Sequence, residues 1–194
     1  QAIMRLTPAS ATLSGAIHFE DQELLALPDQ TVRLWRGKRI AMIFQEPMSA
    51  LNPLHTIGKQ IAEVITTHEK LNKNAVLQRV LSLLDMVGLE KFKDRLDTYP
   101  HQLSGGERQR VMIAMAMACS PDLLIADEPT TALDVTLQSQ ILSLLKTLQH
   151  EHQMAILLIT HDLTIVKRLA ERVAIMQHGE IVEQGRTREV FSNP

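Results

Sequence analysis

The sequence has 194 residues, 45% hydrophobic and 22% charged, which suits one main packed domain with a smaller subdomain and excludes a disordered or fibrous chain. A net charge of −2, with Lys and Arg dispersed and aromatics at 3%, leaves neither the basic footprint nor the stacking platforms of a nucleic-acid binder. No apolar run approaches the roughly 20 residues of a membrane-spanning helix, so a membrane role would go through a partner, and the single Cys119 suits a reducing, cytoplasmic setting.

In chain order, Gln1 to Leu6 reads as helix interior without a start Met, signal peptide or N-cap, and Asn193-Pro194 ends as abruptly, so the chain is expected to be part of something longer. Ser14 to Phe19 has strand character. Ile40 to Phe44 is a short apolar run that ends before Gln45. The stretch that follows reads as helices over Ile57 to His68, Asn74 to Met86 and Glu90 to Arg95, punctuated by Gly88 and Pro100. A further helical run, Val111 to Cys119, makes Cys119 a small buried thiol. Leu123 to Ala126 ends before Asp127-Glu128, and Ile156 to Thr160 before His161. Gly179 to Gly185 reads as a strand and Arg188 to Phe191 begins a short helix.

Three near-continuous apolar runs predict strands of a parallel sheet covered on both faces, with helices between them. In such sheets ligands sit beyond the C-terminal strand ends, so Gln45, Asp127, Glu128 and His161 are expected on one edge. Each run taken singly also fits a strand that merely ends in a polar loop.

Three segments offer chemistry. Leu103-Ser104-Gly105-Gly106-Glu107 opens a helix with a hydroxyl and two unobstructed amides at the positive dipole end, an anion site; the same S-x-x-E spacing also makes a capping box, and both readings stand. Asp127-Glu128 places two carboxylates at a strand tip, one suited to holding Mg²⁺ and one to orienting water, although such a pair also serves before a helix. His161 suits a terminal phosphate, and equally a partly buried strand-end histidine. The other histidines lack metal-ligand spacing, and His150-Glu151-His152 reads as a solvated helix end.

Together these segments resemble the ATPase subunits of ABC transporters along nearly the whole chain. Gln45 is similar to the Q-loop, Leu103 to Gln109 to the signature motif, Leu123 to Glu128 to the Walker B strand, Ala132-Leu133-Asp134 to the D-loop and His161 to the H-loop. The resemblance implies an α/β fold: a RecA-like P-loop NTPase core with a parallel sheet, residues 1–45 and 104–194, into which a helical subdomain, residues 46–103, is inserted between Q-loop and signature motif. It implies ATP and Mg²⁺ as cofactors and a second ABC ATPase as head-to-tail partner. Leu103, Ser104, Gly105, Gly106 and Glu107 would meet the nucleotide held by that partner. Asp127 and Gln45 would attend Mg²⁺, Glu128 would polarise the attacking water, His161 would stabilise the transferring phosphoryl group and Asp134 would communicate across the interface.

The phosphate loop G-x-x-x-x-G-K followed by Ser or Thr is missing; Gly37-Lys38 and Gly58-Lys59 lack its other residues, so the N-terminal portion is expected to be truncated and the 194 residues alone inactive. Glu46 to Pro53, Tyr99 to Gln102 and Gly185 to Phe191 are similar to the bacterial peptide and nickel uptake branch. That implies a peptide importer working with membrane permease subunits and an extracytoplasmic solute-binding protein, on the cytoplasmic face of the inner membrane. A soluble ABC ATPase acting on DNA or ribosomes is disfavoured by the compact insertion, and a non-catalytic ABC module by the intact Asp127, Glu128 and His161.

Overall fold

The computed structural model describes residues 1–8, 10–46, 50–131 and 133–192. Its centre is a parallel sheet of three strands, β3 (Ile40–Ile43), β4 (Leu123–Asp127) and β5 (Ala155–Ile159), in the order β3-β4-β5. Ile43 pairs with Ala126 and Ala126 with Leu158, so the three strands end level. Gln45, Asp127-Glu128 and Thr160-His161 therefore leave the sheet at one edge.

Ahead of the sheet lie a hairpin, β1 (His18–Phe19) with β2 (Gln22–Glu23), and α1 (Asp29–Trp35). Between β3 and β4 come α2 (Ile57–His68), α3 (Lys73–Met86), two 3-10 turns (Glu90–Phe92 and Pro100–Gln102) and α4 (Gly105–Ala116). The crossover from β4 to β5 is α5 (Val135–His152). Then follow α6 (Leu163–Leu169), the hairpin β6 (Arg172–Gln177) with β7 (Glu180–Arg186), and α7 (Thr187–Val190).

Local chemistry explains where these helices start. Thr56, Asn72, Ser104, Asp134 and Asp162 each stand just before a helix and accept an otherwise unpaired amide through a side-chain oxygen. Alternation along the strands explains the core. Ala41, Ile43 and Leu124 face the large cluster that includes Ile57, Ile61, Leu83, Leu84, Ile113 and Met117. Ile40 and Ile125 face a smaller cluster with Met4 and Leu24, flanked by Phe19 and Trp35. β3 and β4 are covered on both faces, as their unbroken apolar runs predict.

β5 departs from that expectation. Like β3 it is an edge strand among the described residues, and Leu157 and Ile159 are 40% and 44% exposed. They stand on the same side as Ile125 and Asp127, where the smaller cluster does not reach them.

Other expectations are corrected in detail. Gln1 to Leu6 is a turn closed by Met4 N–H on the Gln1 carbonyl, with Arg5 at φ 47°, and not a helix. The N-terminal strand shrinks to His18–Phe19. Cys119 lies past the end of α4 and is only half-buried. Pro47, Met48, Ser49 and Ala132, which carry parts of the uptake-branch and D-loop resemblances, lie outside the described residues, as do Asn193 and Pro194.

Candidate active site at the strand tips

Glu128 is the first residue beyond β4. Its amide still donates to the Ile159 carbonyl at 2.9 Å, extending the ladder by one bond, while its own φ of 48° turns the chain away. A positive φ on a residue with a side chain is a strained conformation of order 1–3 kcal/mol that surrounding structure must hold, and such strain gathers at functional sites. Here the turn is closed by Thr131 N–H on the Glu128 carbonyl at 3.1 Å.

That backbone delivers the carboxylate to three donors. Oε1 accepts from the His161 backbone N–H at 3.1 Å and lies 2.7 Å from His161 Nδ1; Oε2 accepts from Thr131 Oγ1 at 3.0 Å. An ionised carboxylate only accepts, so Nδ1 carries the proton in this contact. Burial alone would raise the Glu128 carboxyl, but the hydrogen bonds from His161 and Thr131 and the charge of His161 outweigh it and hold it below its ordinary value. The hydrogen bond to Glu128, reinforced by its charge, pushes the imidazole of His161 up. The side chain of Glu128 is 18% exposed and that of His161 82%, so the pair has a covered carboxylate and an open imidazole. Behind it Asp162 caps α6 through Thr164 N–H at 2.8 Å, which fixes the loop that carries His161.

The second group of residues is the start of α4. Ser104 N–H and Oγ–H both donate to Glu107 Oε2, at 2.7 and 2.8 Å, and Glu107 N–H returns to Ser104 Oγ at 3.4 Å. The capping box is therefore formed. Burial would raise the Glu107 carboxyl, but the ion pair with Lys91 and the bonds from Ser104 bring it below its ordinary value. The capping box does not use up the site: the amides of Gly105 and Gly106 have no acceptor among the described residues. Leu103 is 3% exposed and packs into the core, so it anchors the segment rather than facing solvent. Arg108 Nε donates to the Pro100 carbonyl at 2.8 Å and ties the helix start to the preceding turn.

Gly106 is buried, and a Cβ placed there would lie 3.2 Å from Leu137 of α5; at Gly105 it would lie 3.6 Å from Leu133. The absent side chain at Gly106 thus lets the starts of α4 and α5 approach, whereas a Cβ at Gly105 would make only an ordinary contact. Asp134, which caps α5 through Leu137 N–H at 2.9 Å, sits at this junction.

Glu128 and His161 are thus brought together, Asp127 stands half-buried at the adjoining strand end, and Gln45 lies exposed two residues beyond β3. Among the described residues no hydrogen bond or ion pair joins Ser104 to Glu107 with Asp127, Glu128 or His161. The molecule carries two separate groups of candidate residues. Thr131 and Lys91 were not singled out from sequence; a hydroxyl three residues after a strand-end acid was the available signal for the first, and nothing local marked the second.

A parallel sheet with acids at its strand tips, a histidine on the neighbouring tip and a glycine-opened helix is the architecture of an ATP-binding cassette. The family model described as ABC transporter matches residues 1–131, and the chain belongs to that family. It is 55% identical over 195 residues to an uncharacterized ABC transporter ATP-binding protein, YejF, of Escherichia coli, covering 100% of this chain and 37% of that protein. It is 50% identical over 196 residues to the oligopeptide transport ATP-binding protein OppD of Bacillus subtilis, covering 100% of this chain and 55% of that one. The chain therefore spans between about a third and three fifths of the length of such relatives.

Among solved structures, the cassette MJ0796, a dimer in a post-hydrolysis state bound to ADP and Pi, superposes with a TM-score of 0.78 at 29% identity, covering 90% of this chain and 74% of that one. The cassette cbiO1 of Clostridium perfringens, part of the transporter complex cbiONQ, gives 0.82 at 30% identity over 100% of this chain and 73% of that one. The fold is the RecA-like P-loop NTPase fold of these cassettes.

Proposed function

We propose that this chain is the greater part of the ATP-hydrolysing cassette of a peptide importer. The observation that carries the reading is the Glu128–His161 pair, a covered carboxylate held against an open imidazole at the tip of a parallel sheet. The names of relatives such as the oligopeptide and dipeptide transport ATP-binding proteins of Bacillus subtilis support the cargo class.

The residues present fit part of a nucleotide site. The two acceptor-less amides at Gly105 and Gly106, on a helix of 12 residues, suit a phosphate, and Asp127 with Gln45 offers oxygen donors of the kind Mg²⁺ prefers. When bound, Mg²⁺ neutralises charge on the terminal phosphates. Asp127 and Gln45 would hold it. Glu128 would accept a hydrogen bond from the attacking water, and the exposed imidazole of His161 would stabilise the transferring phosphoryl group. Glu107 and Leu103 support the binding segment, the first through the Ser104 cap and the second through packing.

The dimeric state of the MJ0796 cassette supports a head-to-tail pair in which Ser104, Gly105 and Gly106 would complete the partner's site and Asp134 would lie at the seam. Residues 46–103 form the helical subdomain and the remainder the core. The sequence lacks the phosphate-gripping loop, and the longer relatives support its being supplied by sequence outside these residues. Permease subunits and an extracytoplasmic binding protein complete the importer, with the cassette on the cytoplasmic membrane face. No helix among the described residues is long and apolar enough to cross a membrane.

The test is Glu128→Gln in the longer protein that contains this chain. Nucleotide binding should persist while hydrolysis nearly vanishes, and an unimpaired rate would remove Glu128 from its role.

A further inference from the structure

The two oxygens of the Glu128 carboxylate are held by groups of different kinds. Oε1 faces His161, which comes from another strand tip and has an 82% exposed side chain. Oε2 faces Thr131 Oγ1 at 3.0 Å, within the same turn that Thr131 N–H closes on the Glu128 carbonyl at 3.1 Å. Pro129 and Thr130, between them, are both buried, so this turn is packed in place.

The last torsion of a glutamate side chain is a broad, roughly two-fold rotor, so a contact on one oxygen decides where both point. Were the His161 ring to leave Oε1, the carboxylate would keep the backbone N–H of His161 and the hydroxyl of Thr131. The lone pair that now faces Nδ1 would then be free, on the side of the exposed imidazole.

We propose that Thr131 is a positioning residue: its hydroxyl, donated to Oε2, fixes the carboxylate plane so that Oε1 presents that vacated lone pair to the attacking water. The proposal rests on the assignment of Glu128 as the water-polarising group. It assigns no contact between Thr131 and nucleotide.

Two variants of the longer protein test it. Thr131→Val keeps the volume and removes the donor; Thr131→Ser keeps the donor. Val is expected to lower kcat about 10- to 100-fold with little change in KM for ATP, because misplacing a reacting group by about 1 Å carries losses of that order, and Ser is expected to keep most of the turnover. A second readout needs no nucleotide: the Glu128 carboxyl carbon, followed by ¹³C NMR against pH, should titrate at higher pH in the Val variant, which has lost a donor to the charged form, and not in the Ser variant.

Turnover in Thr131→Val equal to wild type, with an unshifted Glu128 titration, overturns the inference, as does an equal loss in Val and Ser. If Glu128→Gln abolishes hydrolysis while Thr131→Val is unimpaired, Thr131 alone loses its role. If Glu128→Gln turns over normally, the functional reading and the inference fall together.

Discussion

Replacing Gly58 by Ala probes the joint that presents the signature segment. Gly58 is the second residue of α2, and an alanine Cβ there would lie 2.8 Å from Leu96 Cβ and 2.9 Å from the Leu96 carbonyl oxygen. Carbon atoms pack best at about 3.5–4.0 Å, so the overlap is about 0.7 Å or more, and part of it is against backbone, which cannot swing aside. Relief requires the loop to move. That movement would break Gly58 N–H to the Leu96 carbonyl, 3.0 Å, and Ile57 N–H to the Thr98 carbonyl, 2.9 Å.

At about 0.5–1.5 kcal/mol net for each bond, the loss is about 1–3 kcal/mol. Alanine returns at most about 1 kcal/mol in helix propensity. That leaves about 0–2 kcal/mol from the hydrogen bonds, and the residual overlap with the Leu96 backbone brings the expected net destabilisation to about 1–3 kcal/mol, the range for overpacked sites. Gly105→Ala is the control, since its Cβ meets Leu133 at an ordinary 3.6 Å and should leave stability unchanged or slightly raised. Urea unfolding of the chain with each substitution supplies the comparison. A Gly58→Ala chain as stable as wild type would refute the argument that this close approach locks α2 to the loop leading to Ser104.

Two further outcomes follow from the site. The His161 imidazole, followed by NMR, should titrate above the ordinary histidine value and return toward it in Glu128→Gln. Because its folded value is raised, its contribution to stability is full below the ordinary imidazole value and fades as pH rises through the folded one; the Glu128 contribution is full above the ordinary carboxyl value and fades as pH falls through its lowered one. The pair is strongest between those limits, and an imidazole titrating at or below its ordinary value would contradict the contact. The 194 residues alone should bind ATP weakly and turn over none in a phosphate-release assay, and robust hydrolysis would contradict the need for a phosphate loop from outside them.

The three central strands and the helix starts at Ile57 and Ser104 were legible because their signals are local, whereas α1, α5, α6 and β6 were not singled out. Apolar runs at Ile40, Leu123 and Ile156 carry their own burial pattern, and Thr56, Asn72, Ser104, Asp134 and Asp162 can each cap through a bond that spans two or three residues. Gln1 to Leu6 misled because a single turn has the same apolar spacing as a helix, and nothing in six residues reveals a positive φ at Arg5. Exposure of Leu157 and Ile159 depends on what stands beside β5, a property of topology that no window on the strand contains. Convergence of Glu128 with His161 was expected from parallel strand tips, whereas the share taken by Thr131 depended on the left-handed turn at Glu128.

Whether these strand tips hydrolyse ATP is decided by Mg²⁺-dependent ATPase activity of the longer protein, with and without Glu128→Gln. Turnover should stop when Mg²⁺ is chelated and nearly vanish in the variant while nucleotide still binds. Equal turnover in the two proteins would contradict that expectation.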